Sequence, residues 1–246
     1  MAAISEKAKT LNSNEKRILK DVIKITKSPL TSNGIYYSHD IDNLYKGYSM
    51  IIGPNDTIYR HGFYFFEINY PKDYPYSPPK VTYHTNNHNV RFNPNLYKNG
   101  KVCISILNTW HGPQWTSCQT ISSILLSLTT LLHNKALTNE PGIKETHRDF
   151  KNYNKIIEYS NYRIAINEVL SNKICGNFYL RFKDEIKEYI SLNNEKILED
   201  VNSFIKKNKK LDKTSIKTGI YSIICEINYE ELVKNMKLEI KKLISK

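Results

Sequence analysis

Tyr45-Lys46-Gly47-Tyr48-Ser49-Met50-Ile51-Ile52, Gly53-Pro54-Asn55-Asp56, Phe63-Tyr64-Phe65-Phe66-Glu67-Ile68-Asn69-Tyr70 and Lys80-Val81-Thr82-Tyr83-His84-Thr85 decide the fold. The first, third and fourth runs are rich in aromatic and β-branched residues, so each reads as a strand. Gly53 to Asp56 is a turn signal between the first two strands. Short strands joined by short connections imply an antiparallel meander and not a parallel sheet. Between the second and third strands lies Asp73-Tyr74-Pro75-Tyr76-Ser77-Pro78-Pro79. Its prolines exclude a sheet interior, because proline cannot donate to the ladder. The spacing predicts a stiff loop that displays Tyr74 and Tyr76.

Working outward, Ile18, Val22 and Ile25 recur at helical spacing, with Ser13 as the expected cap and Pro29 just past the end. Downstream, the stretch from Val90 to Thr116 loses its period. So long an irregular segment in a compact domain is a functional candidate. Thr116 and Gln119 have capping-box spacing. Ile121, Ile124, Leu125, Leu128, Leu131 and Leu132 then form one apolar stripe, read as core. Asn139-Glu140-Pro141-Gly142 closes this unit.

The remainder reads as helical. Tyr162, Ile166, Val169 and Leu170 mark one helix, Phe178, Phe182, Ile186 and Tyr189 a second beginning after Gly176, and Ile197, Leu198, Val201 and Phe204 a third. Lys206 to Lys213 is a charged break. Ile220 to Ile227 predicts a short strand. Tyr229, Leu232, Met236, Ile240 and Leu243 mark a last amphipathic helix. No internal repeat is visible. The expected fold class is α/β of the α+β kind, with a core domain over 1–150 and a helical C-terminal extension over 151–246 packed on or near it.

The composition, with 40% hydrophobic and 24% charged residues in 246, is that of a globular protein. No apolar run approaches the roughly 20 residues that span a bilayer. Met1 to Thr10 lacks the apolar core of a signal peptide, so an intracellular protein, cytoplasmic or nuclear, is expected. Four cysteines at 103, 118, 175 and 225 then read as free thiols. The net charge of +12 fits a nucleic-acid or anionic-membrane partner. However, the abundance of Asn, Ile, Lys and Tyr explains the charge as AT-rich coding, and nucleic-acid motifs are missing. Neither partner is expected.

Cys103 carries the chemistry. It follows Asn99-Gly100-Lys101-Val102, and the tight Asn-Gly turn is expected to present its thiol to solvent. Thiols suit acyl transfer because even a few per cent thiolate is strongly nucleophilic. Asn95, in Arg91-Phe92-Asn93-Pro94-Asn95, can donate its amide to an oxyanion if the turn folds it back. No general base adjoins Cys103, which argues against a cysteine protease, although His84, His88 and His111 leave a Cys-His pair open. The spacing also permits a small buried hydrophobe at 103. Cys103, His111 and Cys118 lack the short paired spacings of structural zinc sites. No metal and no cofactor are expected.

These pieces in this order resemble the ubiquitin-conjugating enzymes. The likeness rests on Lys16-Arg17-Ile18, the loop Tyr74-Pro75-Tyr76-Ser77-Pro78-Pro79, the turn Asn93-Pro94-Asn95, Gly100-Lys101-Val102-Cys103-Ile104, Trp115 and the helix after it. Thr109-Trp110-His111-Gly112-Pro113-Gln114-Trp115, Asn139-Glu140-Pro141-Gly142 and Lys151-Asn152-Tyr153-Asn154 look like the large Z-type subgroup, with its longer loop after the cysteine and its helical extension. The resemblance implies an N-terminal helix, a four-stranded meander and flanking helices. It implies that Cys103 takes ubiquitin, or a ubiquitin-like modifier, from an activating enzyme and passes it to a substrate lysine with or without a ligase. Asn95 would stabilise the oxyanion or hold the loop. Glu140 best matches the family's acidic residue, with Asn139 next, and would help the lysine lose its proton. Lys16, Arg17, Lys20, Pro75, Tyr76 and Ser117 match the surfaces that meet the ligase or activating enzyme.

The chain departs from the family in places. Asn93 stands where the family has His, a feature shared with the Z type. Thr116-Ser117-Cys118 replaces Ser-Pro-Ala, which alters a ligase-facing loop. Ile58 and His61 stand where Pro and Gly are usual, read as packing. Cys118 is read as structural. A non-catalytic relative would lack the cysteine, so the presence of Cys103 favours an active enzyme.

Overall fold

The computed structural model describes residues 11–86 and 89–245. Met1 to Thr10 and His88, which entered the reading above, lie outside the described residues. Helix α1 spans Ser13–Lys27 and buries Ile18, Asp21 and Ile25. Its cap is Asn12 and not Ser13. The Asn12 side chain accepts from the Asn14 and Glu15 amides, and the Glu15 carboxylate accepts from the Asn12 amide, each at 2.9 Å. This reciprocal box uses one more residue than a serine cap alone.

Among the described residues the main sheet has four antiparallel strands in the order β1 (Ile35–His39), β2 (Lys46–Ile52), β3 (Phe63–Asn69), β4 (Lys80–Tyr83). Ile35 pairs with Ile51, Met50 with Phe65 and Ile68 with Val81. Phe63 to Phe66 do not alternate in polarity because both faces of β3 are covered. Tyr64 meets Tyr59 and Phe92 on one side. Phe65 meets Phe178 and Phe182, and Phe63 meets Tyr189, on the other.

The proline-rich loop displays only one of its two tyrosines. Tyr76 is 76% exposed, whereas Tyr74 is fully buried. The Tyr74 ring packs 5.1 Å from Tyr70 and 5.8 Å from Trp115, and its hydroxyl donates to Asp21 Oδ2 at 2.5 Å. A neighbouring carboxylate therefore turned this side chain inward, satisfying the hydroxyl that burial would otherwise penalise.

Helix α2 spans Ile121–Thr129 with Thr120 as its cap and Ser123 closing the box. The Thr116–Gln119 pair forms a separate turn before it, in which Gln119 Oε1 accepts from the Thr116 amide at 3.0 Å. Leu131 and Leu132 lie past the helix end but remain buried. Cys118 thus precedes the helix cap and is exposed.

The C-terminal part is mostly helical. Helix α3 (Phe150–Ser160) runs into a π-helical segment, Asn161–Glu168. There Asn161 is buried, accepts from the Tyr64 hydroxyl at 2.6 Å and donates to the Arg60 carbonyl at 2.9 Å. The two helices expected over 178–204 regroup. Helix α4 is short, Gly176–Arg181, and α5 runs unbroken over Lys183–Lys207. Phe182, at φ −113°, makes the break. The expected strand shortens to β6 (Ile224–Glu226), paired with β5 (Ser215–Lys217). Ile220–Ser222 is instead a tight turn in which Tyr221 and Ser222 have φ of 59° and 48°. Helix α6 spans Tyr229–Ile244.

Candidate active site

Cys103 sits on a hairpin. Gly100, at φ +87°, makes its turn, and its amide donates to the Tyr97 carbonyl at 3.0 Å. A Cβ there would lie 2.9 Å from the Tyr83 carbonyl oxygen, so the position has no room for a side chain. Tyr97 N–H donates to Lys101 C=O at 2.9 Å, and Leu96 bridges Val102. Two further bonds tie Cys103 to Asn95. The Cys103 amide donates to the Asn95 carbonyl at 2.9 Å, and Asn95 Nδ2 donates to the Cys103 carbonyl at 2.6 Å. The carbonyl oxygen can only accept, so this fixes which end of the Asn95 amide faces it.

The thiol is not presented to solvent as expected. Cys103 is 2% exposed. A cavity of about 290 Å³ opens beside the loop, lined among others by Asn95, Ile104, Ser105, Trp110, Leu131 and Asn139. Thr109, which the sequence reading missed, braces the segment after the cysteine. Its hydroxyl accepts from the Ile104 amide at 3.0 Å and lies 3.1 Å from the Val102 and Ile104 carbonyls. A Thr next to an irregular loop is its only sequence signal.

Asn93 organises the other wall. Its Nδ2 donates to the Leu131 carbonyl at 2.8 Å. Its Oδ1 accepts from the Asn95 amide at 2.9 Å and from Asn139 Nδ2 at 3.3 Å. Asparagine thus supplies one donor and one acceptor here, as a neutral imidazole could. Asn139 Oδ1 also lies 3.1 Å from His133 Nε2. Glu140 points elsewhere. Its Oε2 accepts from the hydroxyl of Tyr221, far down the chain. The structure therefore brings Asn95, Asn93 and Asn139 together and leaves Glu140 on a different partner.

Among the described residues no hydrogen bond joins Cys103 to a histidine. His84 lies against Phe178, with ring centroids 4.6 Å apart, and its carbonyl accepts from the Cys175 thiol. His111 is exposed. Among the described residues no cluster of His, Cys, Asp or Glu could hold a metal ion, and no helix is long and apolar enough to cross a membrane.

The expected partner-facing residues divide. Lys16, Lys20, Tyr76 and Ser117 have exposed side chains, and Pro75 is half-buried. Arg17 is committed within the chain. It donates to the Ser117 and Gln119 carbonyls at 2.6 Å and pairs with Asp21 at 3.1 Å, stapling α1 to the loop after Trp115. Trp115 Nε1 donates to the Pro75 carbonyl at 2.7 Å, so the two expected ligase-facing loops are joined.

Residues 17–162, more than half of the chain, match the family described as ubiquitin-conjugating enzyme. The chain belongs to this family. Ubiquitin-conjugating enzyme E2 Z of Danio rerio is 43% identical over 161 residues, which cover 64% of this chain and 48% of that protein. The Homo sapiens protein of the same name is 42% identical over 160 residues, covering 64% of this chain and 45% of its own length. A probable ubiquitin-conjugating enzyme of Caenorhabditis elegans, protein 17, is 36% identical over 208 residues, covering 79% of this chain and 28% of its own. Among solved structures, human ubiquitin-conjugating enzyme E2 G1 matches with a TM-score of 0.43 and 33% identity, over 49% of this chain and 94% of that one. The chain spans about half the length of the E2 Z relatives it matches. Within the ubiquitin-conjugating enzyme family, it is similar to the Z type.

Proposed function

We propose that the protein carries ubiquitin, or a ubiquitin-like modifier, as a thioester on Cys103 and delivers it to a lysine. The observation that carries this reading is a cysteine within the family-matched region, locked by two bonds to Asn95, which lines a cavity together with Ile104. In loading, the Cys103 thiolate attacks the thioester carbonyl on the activating enzyme. A C–S bond forms to Cys103, and the activating enzyme's sulfur leaves as a thiolate. In delivery, a neutral lysine amine attacks the same carbon, the C–S bond to Cys103 breaks, and the amine's proton passes to solvent or a nearby base. A free lysine titrates near about 10.4, so lowering that barrier is part of the work.

Asn95 supports the cysteine loop first, since its amide already holds the Cys103 carbonyl. The second hydrogen on Nδ2 is what it has to offer an oxyanion. Asn139 lines the cavity and is the nearer candidate for meeting the amine, with Glu140 beside it in sequence. With 2% exposure at Cys103, loading requires its surroundings to open. Lys16, Lys20, Pro75, Tyr76 and Ser117 are read as the surface for the activating enzyme and a ligase, with Arg17 shaping it from within. Residues 1–150 are read as the conjugating core and 151–246 as its extension, with the family match over 17–162 running past that boundary. Four free cysteines support a reducing compartment, cytoplasm or nucleus.

The test is to incubate the protein with ATP, ubiquitin and each activating enzyme, then run a non-reducing gel. A thiol-sensitive adduct that Cys103→Ala abolishes is expected. Its absence, or its persistence in Cys103→Ala, overturns the reading.

A further inference from the structure

Tyr221 lies in the turn between β5 and β6, well outside the family-matched residues 17–162. It nevertheless touches both chain segments that wall the cavity. Its ring stacks on Arg91, with the guanidinium carbon 4.2 Å from the Tyr221 ring centre and 3.7 Å from that of Tyr97. Its hydroxyl donates to Glu140. Arg91 stands just before Asn93, and Glu140 directly follows Asn139. One side chain therefore touches a near chain neighbour of each partner in the Asn93–Asn139 hydrogen bond, which at 3.3 Å is long and weak by itself.

The surroundings commit to this placement. Tyr221 and Ser222 both adopt left-handed backbone, which costs roughly 1–2 kcal/mol at a non-glycine residue. Asp149 Oδ2 accepts from the Ile220 amide at 2.9 Å, and the Thr218 hydroxyl donates to the Ile220 carbonyl at 2.9 Å. Tyr153 packs 6.2 Å from the Tyr221 ring and donates to the Arg91 carbonyl at 2.8 Å. Arg91 in turn donates to the Pro94 carbonyl, next to Asn95.

We propose that Tyr221 is a positioning residue for the attack of the lysine amine: by clamping Arg91 and Glu140 together it sets the Asn93–Asn139 wall against which the amine is aligned. This rests on the thioester reading of Cys103. Loading depends on the Cys103 hairpin and its Asn95 bonds, which Tyr221 reaches only through Arg91 and its stack on Tyr97. Discharge depends on the wall, whose Glu140 end Tyr221 holds directly.

The experiment uses the full chain, charged with ubiquitin and then chased with free lysine in a single turnover. Tyr221→Ala is expected to charge at close to the wild-type rate but to discharge about ten- to a hundredfold more slowly, the upper figure being the cost of a misplacement of about 1 Å. Tyr221→Phe keeps the stack on Arg91 but loses the hydroxyl bond to Glu140, so it releases the clamp and should keep most of that loss. On a Glu140→Gln background, Tyr221→Phe should slow discharge less than it does alone, because the same contact is already weakened. Charging and discharge of Tyr221→Ala at wild-type rates would overturn the inference while leaving the thioester reading standing. If Tyr221→Ala does not fold, equal and additive effects of Tyr221→Phe and Glu140→Gln overturn it instead. A wild-type chain that forms no thioester removes the thioester reading and this inference with it.

Discussion

Asn95→Ala separates the two roles open to Asn95. The side chain is 4% exposed, and its Nδ2 donates to the Cys103 carbonyl at 2.6 Å. Truncation leaves that carbonyl, on a residue 2% exposed, without this donor. An unsatisfied buried polar group costs about 1–3 kcal/mol. For a chain of this length each kcal/mol lowers Tm by roughly 2–4 °C, so a loss of about 2 kcal/mol predicts a fall of about 4–8 °C. Asn95→Asp, of equal size, replaces the donor with an acceptor facing an acceptor, and should destabilise at least as much at neutral pH. Below the carboxyl's titration, the protonated acid can donate again and part of the stability returns. The assay is thermal unfolding across pH, run beside thioester formation. A Tm within about 1 °C of wild type, combined with a fall of about a hundredfold in transfer rate, would show the amide serving the transition state alone and refute the loop-holding argument.

Tyr74→Ala should cost about 3–5 kcal/mol, because it empties a buried aromatic site, whereas Tyr76→Ala should stay within about 0.5 kcal/mol and weaken ligase binding. Equal denaturation midpoints would contradict the inward placement of Tyr74. Gly100→Ala places a Cβ 2.9 Å from the Tyr83 carbonyl at φ +87°, so it should cost about 1–2 kcal/mol or more and slow loading. Urea melts and a charging time course check both effects, and unchanged values in both would refute the turn's role. Burial holds His61 below the ordinary imidazole range against the opposing pull of Asp200. Neutral His61 donates from Nε2 to Asp200 at 3.0 Å and accepts from the Tyr189 hydroxyl at 2.8 Å. The unfolded chain takes up that proton first as pH falls, so stability is full above about 6.5 and declines below it toward the depressed folded value. Burial depresses His39 and His84 in the same direction. His61→Asn tolerates the φ of 66° and should flatten, not erase, the acid slope of Tm between pH 7 and 5, and an identical slope would refute the assignment.

The strands were legible because their pattern is local. Tyr45 to Ile52 and Phe63 to Tyr70 carry β-forming residues bounded by turn residues, and no distant contact is needed to read them. The cysteine hairpin was legible for the same reason, since Asn99-Gly100 is a turn signal by its own backbone preference. The first strand, Ile35–His39, was not assigned from its own residues, since it is short and follows a turn at Gly34. Phe182 and Ile186 share an apolar face with Phe178, so the periodicity continued through a backbone break it cannot register. Arg17 was expected to face a partner, yet it bonds carbonyls about a hundred residues away. Carbonyls have no sequence signature, and that is why the staple was invisible.

Asn139 and Glu140 show where position in a motif stops being informative. Asn139 and Glu140 are adjacent, and alignment to the family favours the acid. Asn139 ends a 3₁₀ turn while Glu140 is extended, at φ −78° and ψ 129°. That change of backbone points consecutive side chains in different directions, one to Asn93 and the other to Tyr221. Tyr221 reaches Glu140 from a left-handed φ of 59° in the turn between β5 and β6. A local backbone conformation in a segment outside the family match thus goes with a split in which Asn139 lines the cavity and Glu140 bonds Tyr221. Any acid role for Glu140 in the proposed lysine discharge would therefore depend on a contact from the β5–β6 turn, beyond the end of the family match at residue 162.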